Sequence, residues 1–351
     1  MARYLVTGAT GFLGGRLTSE LLDAGHAVVA LCREDEPELA DRGVIVARGD
    51  VLDGSTVERA AQGADGAFHC AGKVSRRPED AEELYRLHVD GTKSTLAACK
   101  RAGVKRVVVA STSGTVAVSQ DPTHVASEAD PAPVGLLSRW PYYRSKLYAE
   151  EAALAMNEPG ALEVVCVNPT LLLGPGDERR SSTEDVRLFL EGRVPAVPAG
   201  GLSFVDVRDA ASAMVLAMEK GVPGKRYLLG ACNMTLREFF RRLERISGVR
   251  APWAPVPSMP SLARPAARLL LEIAGKKRWG GSELDPVSFE MAQFYWYLDA
   301  SLAMNELGWR PRDPMRTLED TVEDLRGGRF GPHGARQRDP QFGDSDAPRL
   351  D

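Results

Sequence analysis

The stretch LVTGATGFLGGRL, residues 5–17, sets Gly8, Gly11 and Gly14 at three-residue intervals directly after a short apolar run. The apolar residues read as a buried strand. Residues 12–25, periodic in Leu and closed by Gly25, read as a helix. Glycines between a strand and a helix either make a tight turn or cradle the phosphates of a dinucleotide. For the second task each has a use. Gly8 permits the sharp turn, Gly11 lets the backbone approach a pyrophosphate, and Gly14 lets the helix pack close to the sheet. The helix N-terminus then offers N–H groups and partial positive charge to an anion. No Gly-Lys-Ser/Thr follows, which excludes a Walker-type phosphate loop.

The alternation continues along the chain. Residues 27–33 (AVVALCR), 44–50 (VIVARGD), 66–72 (GAFHCAG), 106–112 (RVVVAST) and 163–169 (EVVCVNP) read as strands, and helical patterns cover 81–102 and 142–156. Val-rich strands alternating with helices predict an α/β fold, a Rossmann-type doubly wound parallel sheet covered on both faces. Residues 1–173 form the expected dinucleotide-binding domain. From Gly174 prolines and glycines thicken and helices such as 235–248 dominate. Residues 174–326 are expected to form a smaller, mostly helical substrate lobe, with some strands returning to the main domain. Within it 252–260 reads as a proline-rich connector and 298–311 as a helix packed by Leu302, Leu307 and Trp309. Residues 327–351 have the composition of a disordered tail.

Composition narrows the function. The 351 residues suffice for one large domain with an appended lobe, and the net charge of −4 gives no electrostatic case for nucleic acid. Cys32, Cys70, Cys99, Cys166 and Cys232 are scattered without metal-type spacing, which suits isolated thiols in a reducing cytoplasm and gives no metal site. The first apolar run leads straight into the glycines and does not read as a signal peptide. No apolar run reaches the roughly 18 residues of a membrane span. A small-molecule substrate is the expected partner.

Two further features carry chemistry. The second strand ends on Arg33 instead of the acidic residue that holds the ribose of NAD. An arginine there can pair with a 2′-phosphate, which favours NADP(H) over NAD(H), although Glu34 and Asp35 follow at once and a solvated charge is the plainer reading. Asp50, closing the third strand, can reach the adenine amino group or cap the next helix. Further on, YYRSK places Tyr142 and Lys146 four residues apart, on one face of a helix. An ammonium beside a phenol lowers its pKa, so the pair can pass a proton to or from a substrate oxygen while a cofactor moves a hydride. Tyr143 lacks that spacing. Ser111, Thr112 and Ser113 stand at the C-terminal end of the fifth strand, where open α/β sheets bind ligands.

In order, TGATGFLG (7–14), GDV (49–51), HCAG (69–72), HVDGT (88–92), STSGTV (111–116) and YYRSK (142–146) resemble an extended short-chain dehydrogenase/reductase of the NAD-dependent epimerase/dehydratase superfamily, as far as about residue 326. STSGTV and NPTLLLGP (168–175) are most similar to its dihydroflavonol reductase and 3β-hydroxysteroid dehydrogenase branch. YYRSKLYAE and LSFVDVRDAA also resemble hopanoid-associated sugar epimerases. The resemblance implies a catalytic set of Thr112, Tyr142 and Lys146. It implies a cofactor site of Gly8, Thr10, Gly11, Phe12, Leu13, Gly14, Arg33, Asp50, Val51, Ala71, Gly72, Tyr142, Lys146 and Pro169. Lys146 would also hold the nicotinamide ribose, and Pro169 would pack by the nicotinamide.

The activity implied is NADP(H)-dependent reduction of a ketone, or oxidation of the secondary alcohol, on a hydrophobic small molecule such as a dihydroflavonol-, steroid- or polyketide-like substrate. The alternative is an NAD-dependent nucleotide-sugar epimerase or dehydratase, for which Arg179, Arg180, Arg187 and Arg193 would supply basic partners. The intact Tyr142/Lys146 pair argues against a purely nucleotide-sensing module. A homodimer is a further implication. The chain departs from the family pattern at Thr112 (serine), at His88 (asparagine) and at Gly72 (alanine), the last leaving room for substrate. Residues 262–277 read as a lid over a hydrophobic substrate or as a helix packed on the small lobe.

Overall fold

The computed structural model describes residues 1–194, 196–252 and 286–327. The lid segment at 262–277, most of the connector at 252–260 and nearly all of the C-terminal tail lie outside the described residues.

The first half is β1 (Arg3–Thr7), α1 (Phe12–Asp23), β2 (Ala27–Cys32), α2 (Pro37–Asp41), β3 (Ile45–Arg48), α3 (Gly54–Ala61), β4 (Gly66–His69), α4 (Ala81–Tyr85), α5 (Gly91–Arg101), β5 (Arg106–Ala110), α6 (Val134–Leu137), α7 (Pro141–Ala155) and β6 (Glu163–Pro169). The second half adds β7 (Leu171–Leu173), α8 (Glu184–Leu190), β8 (Gly201–Asp206), α9 (Val207–Lys220), β9 (Arg226–Leu229), β10 (Cys232–Thr235) and α10 (Leu236–Ser247), followed by helices at Pro286–Met291 and Pro314–Leu325. Seven strands form one sheet in the order β3-β2-β1-β4-β5-β6-β9, with every pairing parallel. This is the doubly wound α/β architecture.

The inner strands bury both faces, whereas the edge strand β3 is partly exposed. Val6, Val28 and Ala30 pack toward Leu17 and Leu21 of α1 and Met214 of α9, while Leu5, Val29 and Leu31 face Val57 of α3 and Leu96 of α5. That two-sided burial is why these strands read as continuous apolar runs instead of alternating ones. The order reverses between β1 and β4, and ligands bind beyond the strand C-termini at such a switch.

Residues after 173 divide between two places. Helix α9 packs on the main sheet and β9 extends it beside β6. A second sheet, β10-β8-β7, carries its own core of Phe189, Phe204, Phe239, Leu243 and Leu318. Helix α10 is capped as its sequence suggests: Thr235 Oγ1 accepts from Glu238 N, and Gly248 ends it in the left-handed region at φ 75°.

Two expected helices differ. The one over 81–102 is broken by a π-helical turn at Arg86–Asp90, which carries His88. The one over 298–311 shrinks to residues 301–307. Leu298 is tied instead to Asn233 Oδ1 at 3.1 Å, and Gly308 terminates the turn at φ 72°.

Candidate active site

A cavity of about 1410 Å³ opens at the C-terminal edge of the sheet. All of the cofactor and catalytic residues named from the sequence line it: Gly8, Thr10, Gly11, Phe12, Leu13, Gly14, Arg33, Asp50, Val51, Ala71, Gly72, Thr112, Tyr142, Lys146 and Pro169.

The glycine turn is sterically obligatory. Gly8 sits at φ +74°, and a Cβ there would stand 2.7 Å from Ala71 N and from the Cys70 carbonyl. A Cβ on Gly14 would stand 2.1 Å from the Gly8 carbonyl oxygen. Gly11 begins α1 with no side-chain cap, and no acidic residue occupies the first turn. The N-terminal amides and the helix dipole are left for an anion. A cradle that any Cβ would fill, at the switch point, fits the pyrophosphate of a dinucleotide.

Further along the cradle, Arg33 is exposed and forms no ion pair among the described residues. Glu34 and Glu36 share the same rim. Asp50 accepts from Leu52 N at 2.9 Å, whereas Asp53, not Asp50, caps α3.

Pro141 opens α7 at its first position, where the missing N–H costs nothing. Tyr142 and Lys146 follow one turn apart on the face toward β5. Lys146 Nζ donates to the Ala110 carbonyl oxygen at 2.7 Å. Burial lowers the Lys146 pKa, and the Glu150 carboxylate opposes that fall. The Tyr142 phenol is pushed up by burial, with Tyr143 adding to the rise. This reverses the lowering expected from Lys146, because burial dominates. The phenol is therefore held in its protonated, donating form.

Thr112 Oγ1 accepts from Gly114 N at 3.3 Å, which leaves its own proton to donate into the cavity. Ser113 lines the cavity beside it, while Ser111 is bonded to Glu150.

Glu150 was not singled out from the sequence, although it continues the four-residue spacing of Tyr142 and Lys146. Its buried carboxylate accepts from Ser111 Oγ, from Thr115 Oγ1 at 3.2 Å and from Asn168 Nδ2 at 2.5 Å, and pairs with Arg226 at 2.8 Å. The network ties α7 to the ends of β5, β6 and β9.

His88 is buried. Its Nε2 accepts from Lys73 N at 3.1 Å, so the neutral ring carries its proton on Nδ1 and donates to Ser145 Oγ at 2.8 Å. Ser145 Oγ in turn donates to the Tyr142 carbonyl at 2.8 Å. Burial and the Lys146 charge push His88 down to about 3, and it stays neutral. Gly72 leaves little room for substrate in this direction, since a Cβ there would meet His88 Nε2 at 3.3 Å.

Beyond Tyr142 the wall turns aromatic, with the Arg76–Asp185 pair facing Tyr143. Tyr143 stacks on Trp296 with centroids 4.9 Å apart, and Trp140 on Trp296 at 5.6 Å. Gly114 makes the space, for a Cβ there would lie 2.1 Å from Tyr143 Cε1. Leu171, Leu172, Val186, Phe239, Phe240 and Met291 complete this end. Arg187 is paired with Glu184 and Glu191, and Arg193 with Glu191.

Among the described residues no three His, Cys, Asp or Glu side chains are placed to hold a metal ion, and no helix is long and apolar enough to cross a membrane.

Residues 4–230 match the NAD dependent epimerase/dehydratase family. The chain is 34% identical over 329 residues to "Putative dihydroflavonol 4-reductase" of Synechocystis sp., covering 91% of this chain and 93% of that one. It is 35% identical over 257 residues to "Sterol demethylase protein B" of Methylococcus capsulatus, covering 72% and 77%. The crystal structure of gox2253 superposes with a TM-score of 0.79 at 28% identity, over 93% of this chain and 98% of that one. With its parallel sheet, glycine cradle and Tyr142/Lys146 pair, the chain is an oxidoreductase that depends on a nicotinamide nucleotide and belongs to the NAD dependent epimerase/dehydratase family, the extended short-chain dehydrogenases/reductases.

Proposed function

We propose that the protein is an NADP(H)-dependent reductase of a ketone on a hydrophobic small molecule, also able to oxidise the corresponding secondary alcohol. The observation that carries the reading is one juxtaposition. Thr112, Tyr142 and Lys146 line the cavity that runs from the glycine cradle to the Trp140–Tyr143–Trp296 wall.

A bound nicotinamide dinucleotide supplies the hydride that adds to the carbonyl carbon. The chain does the rest. Tyr142, kept protonated by burial, donates its proton to the carbonyl oxygen as negative charge develops there. Thr112 donates a hydrogen bond to the same oxygen, with Ser113 next to it. Lys146 holds its ammonium beneath the site through Ala110 and stabilises the phenolate left behind. The aromatic wall excludes water and takes up the body of the substrate.

Support for NADP(H) over NAD(H) comes from the exposed, unpaired Arg33 at the end of β2, a donor fork for a 2′-phosphate. Support for an apolar substrate over a nucleotide sugar comes from the apolar residues of the distal end and from the engagement by glutamates of two of the four arginines, Arg187 and Arg193, while Arg179 and Arg180 stay on the cavity lining.

The test is turnover of a panel of hydrophobic ketones with NADPH, for the native protein and for Tyr142→Phe. The variant should bind NADPH with unchanged affinity and lose on the order of 10²-fold or more in kcat. Undiminished turnover by Tyr142→Phe would refute the assignment.

A further inference from the structure

The loop over residues 174–183 belongs to the second lobe, yet Arg179 crosses the cleft and its Nη2 donates to Thr10 Oγ1, inside the glycine turn, at 3.3 Å. The loop is held by hydrogen bonds at both ends. The Asp177 carboxylate gathers Ser181 N at 3.0 Å, Ser182 N at 2.8 Å and Thr183 N at 2.9 Å, together with the Ser181 and Thr183 hydroxyls. Gly174 N and Gly176 N are bonded to Thr321 Oγ1 and Asp324 Oδ2 of the helix Pro314–Leu325. Arg180 is the one non-glycine residue with positive φ among the described residues, at 53°. Arg179 is exposed and forms no ion pair there, so its guanidinium keeps a single long bond to a neutral hydroxyl.

A guanidinium bonds a phosphate oxygen more strongly than a threonine hydroxyl, and in bidentate fashion. The place where Arg179 now rests is the mouth of the cradle whose other side is the uncapped N-terminus of α1.

We propose that Arg179 is the second jaw of the pyrophosphate site. It exchanges Thr10 for the dinucleotide's bridging phosphates and so couples cofactor binding to the position of the substrate lobe. The inference rests on the dinucleotide reading of the glycine cradle. The phosphates could also belong to the 2′-position of NADP(H) or to a substrate diphosphate. Position favours the pyrophosphate, because Thr10 lies within the glycine turn, whereas Arg33 stands at the end of β2 and the aromatic wall lies beyond Tyr142.

The experiment measures NADPH and NADH dissociation constants by quenching of tryptophan fluorescence for the native protein, Arg179→Ala and Arg33→Ala, with apo melting temperatures as a folding check. Arg179→Ala should melt normally and weaken both dinucleotides alike, by about tenfold. Arg33→Ala should weaken NADPH alone. Unchanged affinities in Arg179→Ala would overturn the proposal. So would weakening of NADPH only, which would move Arg179 to the 2′-phosphate. Failure of the native protein to bind either dinucleotide would instead bring down the cradle reading, and the proposal with it.

Discussion

Gly72 and His88 are fitted to each other: a Cβ at position 72 would press on His88 Nε2 from 3.3 Å. The ring cannot give way easily, because Lys73 N and Ser145 hold its two nitrogens and the Tyr142 ring packs edge-on against it with centroids 5.7 Å apart. The two positions at which the sequence departs from the family pattern it resembles are thus in direct steric contact. The glycine leaves the imidazole the room that a Cβ would take.

The pair should behave as a coupled unit. Gly72→Ala alone is expected to destabilise by about 1–3 kcal/mol through overpacking. His88→Asn alone should loosen the N-terminal turn of α7 and lower kcat. The double variant should recover part of both losses, with a coupling of about 0.5–3 kcal/mol in urea melts. Strict additivity would show that the two residues are not matched.

Glu150 opposes the fall in the Lys146 pKa from a position one helical turn away. Glu150→Gln removes that charge, so Lys146 should lose its proton at lower pH. The alkaline limb of kcat/KM is expected to move to lower pH, with cofactor affinity at pH 7 less affected. The variant should also lose stability, because Arg226 is left without its buried partner. An alkaline limb that stays in place would show that Glu150 acts on the fold alone.

His69 and His88 are both buried and held down to about 3. Their unfolded values are about 6.5, so between those limits the unfolded chain binds more protons than the folded one. Stability should therefore fall as pH drops below about 6.5, each histidine contributing at most about 1.4 kcal/mol per pH unit. Glu20 works against this, since burial raises it to about 7 and it favours the folded state as pH falls toward its ordinary value. Urea melts of the native protein and of His88→Asn between pH 7.5 and 5 should show a shallower loss in the variant. Identical slopes would mean that His88 is not held neutral.

Much of the fold was legible because its signals are local. The β1–α1 turn carries its glycines in a row, and strands buried on both faces read as unbroken valine runs. Tyr142 and Lys146 were legible for the same reason, as neighbours one helical turn apart. What sequence could not convey is pairing across the sheet. Glu150 matters because β5, β6 and β9 bring Ser111, Asn168 and Arg226 to it from distant positions. The aromatic wall joins Tyr143 to Trp296, two residues far apart in the chain. The direction of the Tyr142 shift was missed because it follows from burial, which spacing does not report. Residues 301–307 fell short of the expected helix because Leu298 bonds to Asn233, a contact invisible in the local pattern.

The central claim, a reductase that exchanges its cofactor at each turnover, is tested most directly by denaturing the purified protein and identifying the nucleotide it releases. The protein should release none, or NADP(H) that readily exchanges with added NADPH. One equivalent of tightly held NAD per chain would contradict that claim and mark an internal redox cycle of the epimerase or dehydratase kind.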